Sequence, residues 1–452
     1  MIKKILTKHV IKGAVARDIS LLVGGAGVAQ LISLLTLPFL TRLYAPSDFS
    51  MLAVYIAMVT ILSSVACLRF DITIPLPRQN GSAFNLLFFC ISLVFSFSIL
   101  LFLFLCLFKD EFLVASKLPA WALYLIPLGV CSMASYSAIR YWFLRGKEFG
   151  TIAKVQVNQS FSCVAIQVYG GYLGCAFLFV LGYLANSLVG FFSLFIKLVI
   201  QKRKFFKWIK ISTITLLIKK YSDYPKYSVL EVLANNVGIQ LPIILIATLT
   251  AGADAGYLVL AMKVMQAPMT LIGNSVAQVY YSYAVEKNSD SVFSKFTENA
   301  ISGLMKAGVG PIIFAGIVSP HVFSMLFGAD WVRAGELVSW MTTCFILQFL
   351  ASPISMVMHI KKKQKEMLIL TVGGLSIRVG AVLIAYFFWQ EFIVEAYAIS
   401  GALFYFICLL VFSFFGLSSL STWMKIINSN VFVIFLWAFL GLVVKGMFVL
   451  FL

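Results

Sequence analysis

Charge is scarce in this chain. Only 12% of its 452 residues are Asp, Glu, Lys or Arg, about half the share of an average soluble domain. That excludes a soluble globular protein of this length. Acids are scarcest, 17 against 35 Lys and Arg, for a net charge of +18. Histidine is nearly missing. His9, His321 and His359 are scattered, so neither a histidine metal centre nor a catalytic triad can be assembled. Eight cysteines are present, but no CxxC pair or metal-ligand spacing occurs and all lie in apolar runs. That excludes a zinc site and a disulfide framework. No cofactor and no enzymatic chemistry are expected.

Apolar residues are abundant, 61% of the chain, with a mean hydropathy of +0.99. They fall into thirteen runs, at 19–43, 49–69, 83–107, 121–143, 152–170, 174–199, 227–249, 256–279, 298–326, 335–358, 367–389, 395–417 and 430–452. At about 1.5 Å per residue, such runs cross a hydrocarbon core of about 30 Å. The fifth and sixth are divided by the glycine-rich stretch Tyr169–Gly174. An all-α, polytopic membrane protein follows, with twelve core spans and an extra C-terminal one. The run at 19–43 is too long for a signal-peptide core and reads as a retained span. Before it, Ile2, Ile5, Leu6 and Val10 share a helical face in a basic leader, which suits the membrane surface.

The cations alternate. With the N-terminus inside, the inner segments hold 26 Lys and Arg, the outer loops hold 4, and 5 lie within spans. This bias sets orientation with a cytoplasmic N-terminus and accounts for the net charge without nucleic acid. Outer loops are too short for an extracytoplasmic active site, against a membrane-bound glycan polymerase. The most basic gap, Gln201–Lys226, carries Phe205, Phe206, Trp208 and Ile209 and reads as an interfacial segment. It divides the first twelve spans into six and six. The expected organisation is an N-lobe over 1–199, a basic connector over 200–226, a C-lobe over 227–417 and an additional apolar segment over 418–452.

A weak repeat relates the halves. Leu37-Pro38 precedes Asp48 and a turn into the next span; Leu241-Pro242 precedes Asp254 and a similar turn. Two like-oriented, pseudo-symmetric six-helix lobes around a central cavity are a transporter plan.

The cations within the spans carry the functional argument. Each costs about 2.5–3.5 kcal/mol at the bilayer centre unless it has a partner, a wet cavity or a route to the interface. Arg378 is nearest the midplane. Lys263 and Lys306 lie nearer the ends of their spans, and Arg140 is close enough to the inner end to reach the interface. Lys263, Gln266, Thr270, Asn274 and Gln278 recur along one face of the eighth span. Shorter stripes are Ser132, Tyr136 and Arg140, and Gln156, Gln159, Cys163 and Gln167. Such stripes either bond neighbouring helices or line water; with cations in two of them, a hydrated lumen is favoured. Glu231 lies well inside a span. It either neutralises a cation or carries a coupling proton or sodium ion. The substrate-binding candidates are therefore Arg378, Lys263, Lys306, Arg140, Gln266 and Asn274, and the ligand expected in so positive a lumen is an anion.

The stretch Leu37–Phe49 resembles the end of the first span in O-antigen and polysaccharide flippases of the multidrug/oligosaccharidyl-lipid/polysaccharide exporter superfamily. Leu68–Pro77 is similar to that family's first cytoplasmic loop. Tyr224–Tyr227 with Gln240–Pro242, and Ala255–Tyr257 with Pro268–Tyr280, resemble its seventh and eighth spans. The resemblance implies two six-helix lobes in a V. It also implies transport of undecaprenyl-pyrophosphate-linked oligosaccharide across the bacterial inner membrane by alternating access. The thirteenth run departs from the family's usual twelve. A cation-coupled multidrug exporter on the same fold is the alternative, disfavoured because no carboxylate lies between Asp18 and Asp48.

Overall fold

The computed structural model describes residues 24–250, 252–286, 290–361, 363–417 and 421–451. The basic leader falls outside them. Among the described residues all regular structure is helical.

The helices are α1 (Gly24–Leu43), α2 (Pro46–Ala66), α3 (Asn80–Leu107), α4 (Lys109–Ser116), α5 (Ala120–Arg145), α6 (Phe149–Tyr172), α7 (Ala176–Phe206), α8 (Ile211–Lys220) and α9 (Val229–Leu249). They continue as α10 (Asp254–Glu286), α11 (Asp290–Leu304), α12 (Gly310–Phe327), α13 (Val332–Ile354), α14 (Met356–Ile360), α15 (Gln364–Phe388), α16 (Ile393–Gly416) and α17 (Ser421–Phe451). Among the described residues, eleven helical stretches are long and apolar enough to cross a membrane. Two more, α6 and α10, have the length, 24 and 33 residues. Together they correspond to the thirteen apolar runs. The chain is a polytopic, all-α membrane protein.

Contacts divide it into two compact units. Unit 1 comprises 1–44 and 54–236; unit 2 comprises 45–53 and 237–452.

In unit 1, α6 and α7 form a tight hairpin. The sequence suggests a turn over Tyr169–Gly174, but Gly170 and Gly171 belong to the last turn of α6. A methyl on either would strike Leu178 or Leu43, so small size is what they contribute. The turn itself rests on Gly174, at φ 62°, where a side chain would strain the backbone. Two members of the glutamine stripe of α6 are buried against α7 and bond its carbonyls. Gln159 Nε2 donates to the Asn186 carbonyl at 3.0 Å and Gln167 Nε2 to the Phe179 carbonyl at 3.1 Å. Ser132 of α5 meets Ser187 of α7 at 2.7 Å. Lipid offers no hydrophobic force between helices, and these polar contacts hold the bundle instead.

Unit 1 also fixes the basic connector. Asn85 of α3 is 1% exposed. Its amide donates to the Gly81 and Trp208 carbonyls at 2.8 and 2.9 Å and accepts from the Lys210 N–H at 2.8 Å. Trp208 is thereby held on the end of α3 and α8 follows from it.

In unit 2, α11 and α12 are joined by a π-helical turn, Met305–Val309. The ninth span is thus one longer helical stretch than its apolar run suggests. The last helix lies along it. Asn430 bonds Ser302 at 3.4 Å, Trp437 packs on Gly310, and Phe448 stacks 5.8 Å from His321. Both numbers rise together, so α17 runs parallel to α11 and α12. Small residues again permit contact: Gly308 faces Phe349 and Gly316 faces Thr342.

The turns that follow the two Leu-Pro pairs meet inside unit 2. Asp48 caps the start of α2, accepting from the Ala45 N–H at 3.0 Å. Gly256 at the start of α10 packs on the backbone of Pro46 and Ser50. Phe49 and Tyr257 both stand edge-on to Trp331, at 4.8 and 5.8 Å.

Candidate functional site

Arg378 is the best-defined of the membrane cations. It lies midway along α15 in unit 2 and is 4% exposed. Its Nε donates to the Gly374 carbonyl at 3.1 Å, one turn back. Its guanidinium sits 4.4 Å from the ring centroid of Phe404 on α16, within cation–π range. Tyr397 and Tyr405 of α16, Cys344 of α13 and Cys408 of α16 all lie in its field. Gly238 of α9 leaves room beside its Nη2. Among the described residues no carboxylate stands within ion-pair distance of it. Aromatic faces and phenol oxygens offset part of the cost of burying the charge, while the charge itself stays uncancelled.

The other candidates are arranged differently. Lys263 and Lys306 are exposed, Lys263 on α10 and Lys306 in the π-helical turn. Gln266, one turn beyond Lys263, is half-buried. Asn274 lies on α10, but its side chain is outside the described residues. Arg140 and Glu231 belong to unit 1. Glu231 is half-buried in the first turn of α9. Arg140 is half-buried near the end of α5, and its Nε is buried without a hydrogen-bond partner.

Two buried carboxylates escape a reading based on spans. Glu395, 4% exposed in the first turn of α16, is paired with Arg333, which also bonds Glu336 at 3.2 Å. Asp71, 7% exposed, lies in the short helical turn Asp71–Thr73 between α2 and α3. Its Oδ2 accepts from Ser137 Oγ at 3.3 Å and its Oδ1 has no partner. Burial raises the Asp71 carboxyl above the usual carboxylate range, opposed by Arg69 and by hydrogen bonds from Ile72 and Ser137. The available signal was an Arg-x-Asp directly after an apolar run.

Unit 1 also holds a cavity of about 250 Å³ lined by Met58, Ile61, Leu101, Phe104, Phe112 and Leu123, among others, all apolar. It offers no group for a sugar or phosphate.

Comparison with known proteins agrees with this architecture. The lipid II flippase MurJ in an inward closed conformation superposes with a TM-score of 0.73 at 13% identity, over 95% of this chain and 97% of that one. A multidrug resistance MATE family transporter of the MOP superfamily, inward-facing, gives 0.56 at 13% identity, over 87% and 93%. A MOP superfamily transporter from Pyrococcus furiosus, described as having reversed polarity in its binding pocket, gives 0.50 at 16% identity, over 88% and 94%. At such identities the likeness is one of fold. None of the curated proteins matches the chain. Residues 39–336 match the family described as polysaccharide biosynthesis protein. That is well over half of the sequence, and the chain belongs to the polysaccharide biosynthesis protein family, built on the MurJ- and MATE-like fold.

Proposed function

We propose that this protein is a flippase, not an enzyme. It carries undecaprenyl-pyrophosphate-linked oligosaccharide, of the O-antigen repeat type, from the inner to the outer leaflet of the bacterial cytoplasmic membrane. It works by alternating access between an N-lobe over 1–199 and a C-lobe over 227–417, with its N-terminus in the cytoplasm. The family supports the glycan pathway, and the fold of MurJ supports a lipid-linked cargo.

One observation carries the reading: Arg378 is a buried guanidinium on a membrane helix with no carboxylate beside it among the described residues. Such a charge is expensive to keep in a membrane. A planar guanidinium is suited to bidentate binding of phosphate or sugar carboxylate. Lys263, Lys306 and Arg140, with Gln266 and Asn274, add donors along the substrate's route. Glu231 is the candidate for a coupling proton or sodium ion. A cationic drug would meet the wrong sign of charge at Arg378, which disfavours the multidrug alternative.

The test is export in a cell that depends on this chain for surface glycan. Arg378→Ala should reach the membrane at normal level and abolish surface glycan. Normal glycan in that variant would refute the role of Arg378.

A further inference from the structure

At one end of unit 1, α2 leads into two successive left-handed residues, Leu68 at φ 47° and Arg69 at φ 60°. Neither is glycine, and L-residues with side chains avoid this region. Asp71 follows, buried against Ser137 of α5 with one carboxyl oxygen unbonded. Arg140 and Tyr141 come three and four residues after Ser137, one helical turn along the same face. The Tyr141 hydroxyl lies within the field of Asp71, Arg69 and Arg140, so the four groups form one cluster. From α3, Cys90 faces Asp71, with Cys67 beyond it. Arg69, Tyr141 and Cys90 are the titratable and charged groups that face the carboxyl, and Arg140 and Cys67 stand beyond them.

An acid beside an arginine normally forms an ion pair. Here no pair forms among the described residues, and Arg69 and Arg140 each keep a buried Nε without a hydrogen-bond partner. Both side chains are half-buried, so their guanidinium ends remain accessible. We propose that Arg69, Arg140 and Asp71 form a site that takes up a diphosphate anion and a proton together. The guanidiniums hold the phosphate oxygens, and Asp71 holds the proton.

The charges give the linkage its sign. With Asp71 neutral, the cluster presents two positive charges; with Asp71 ionised, only one remains net. An anion beside the carboxyl disfavours its ionised form. By reciprocity, a proton on Asp71 strengthens the anion's binding by the same factor. Burial, which already favours the neutral carboxyl, prepares the site for this. The site rests on the reading of the protein as a carrier of lipid diphosphates, and the ligand is their headgroup.

Calorimetry on the purified full-length protein in nanodiscs tests this, with inorganic pyrophosphate as probe. Titrations in buffers of different ionisation enthalpy count the protons taken up. The anion's own protonation is common to all variants and cancels in comparison. Wild type should take up more protons per anion than D71N, and its affinity should fall more steeply with rising pH. The R69Q/R140Q double variant should bind at least about tenfold more weakly, the loss of one or more charge-assisted hydrogen bonds. D71E, which keeps an ionisable carboxyl, should restore linked uptake and serves if D71N fails to fold. Equal proton uptake in wild type and D71N, or unchanged affinity in R69Q/R140Q, overturns the site.

A polyprenyl diphosphate in the nanodisc should displace pyrophosphate; failure to compete would assign a soluble phosphate and overturn the headgroup as ligand. Binding is read without flux. Its loss leaves the flippase reading standing, while failed export with intact binding overturns that reading alone.

Discussion

The guanidinium of Arg378 lies 4.4 Å from the ring of Phe404, and the two residues come from α15 and α16. This contact orients a charge that has no acidic partner among the described residues. Arg378→Lys keeps the charge but loses the planar stack and the bidentate fork. Export should fall by about ten- to a hundredfold, matching about 1.5–3 kcal/mol for hydrogen bonds to a charged group. Phe404→Leu should give a smaller loss, since cation–π contacts contribute about 0.5–2 kcal/mol. Surface glycan quantified against membrane protein level checks both.

Arg333 and Glu395 form the opposite kind of pair. Glu395 is buried and its Oε2 has no hydrogen-bond partner, so removing Arg333 leaves an uncompensated charge. Arg333→Ala should cost about 3–5 kcal/mol, and the double variant with Glu395→Gln should recover much of it. Thermal unfolding of the purified protein would show a large drop for the single variant and a smaller one for the double. Equal drops would mean the pair is not coupled.

Gly256 touches the backbone of Pro46, where the turns that follow the two Leu-Pro pairs meet. A backbone neighbour cannot rotate away. Gly256→Ala should destabilise by about 1–3 kcal/mol through overpacking, whereas Gly373→Ala, with open space around it, should leave the thermal midpoint close to wild type. The comparison separates crowding from a general intolerance of helix substitutions.

Asp71 gives a pH dependence. Its carboxyl is raised in the folded protein by burial, so between the ordinary carboxylate value and the raised one the folded state holds more protons than the unfolded. Stability should therefore fall as pH rises through that window. Asp71→Asn removes the titration, so its stability should lose this slope and equal or exceed wild type above the window. Thermal midpoints measured across acidic to neutral pH check the sign. A midpoint that rises with pH in wild type, and not in the variant, would reverse it.

The spans were legible because a run of apolar residues has the same length requirement wherever it occurs, and even the stretch Val431–Phe451, interrupted by Lys445, is part of one long helix. The role of a polar residue within a span was not. Gln159 and Gln167 have the same spacing whether they face water or a neighbouring carbonyl, and only the packing of α6 on α7 decides. The π-helical turn at Lys306 has no mark in the apolar pattern. Asp71 was missed for a different reason: it lies between spans, where a carboxylate is assumed to be solvated. Arg378 could be singled out because a cation in mid-span is costly wherever it points.

The central claim is best tested by flux. The purified chain would be reconstituted in liposomes carrying a labelled polyprenyl-diphosphate-linked oligosaccharide in one leaflet, and exposure of the glycan on the opposite side followed with an impermeant probe. Wild type should transfer the glycan well above protein-free vesicles, and Arg378→Ala should fall to their level. Transfer no faster than in protein-free vesicles, or equal transfer by the variant, would contradict the account.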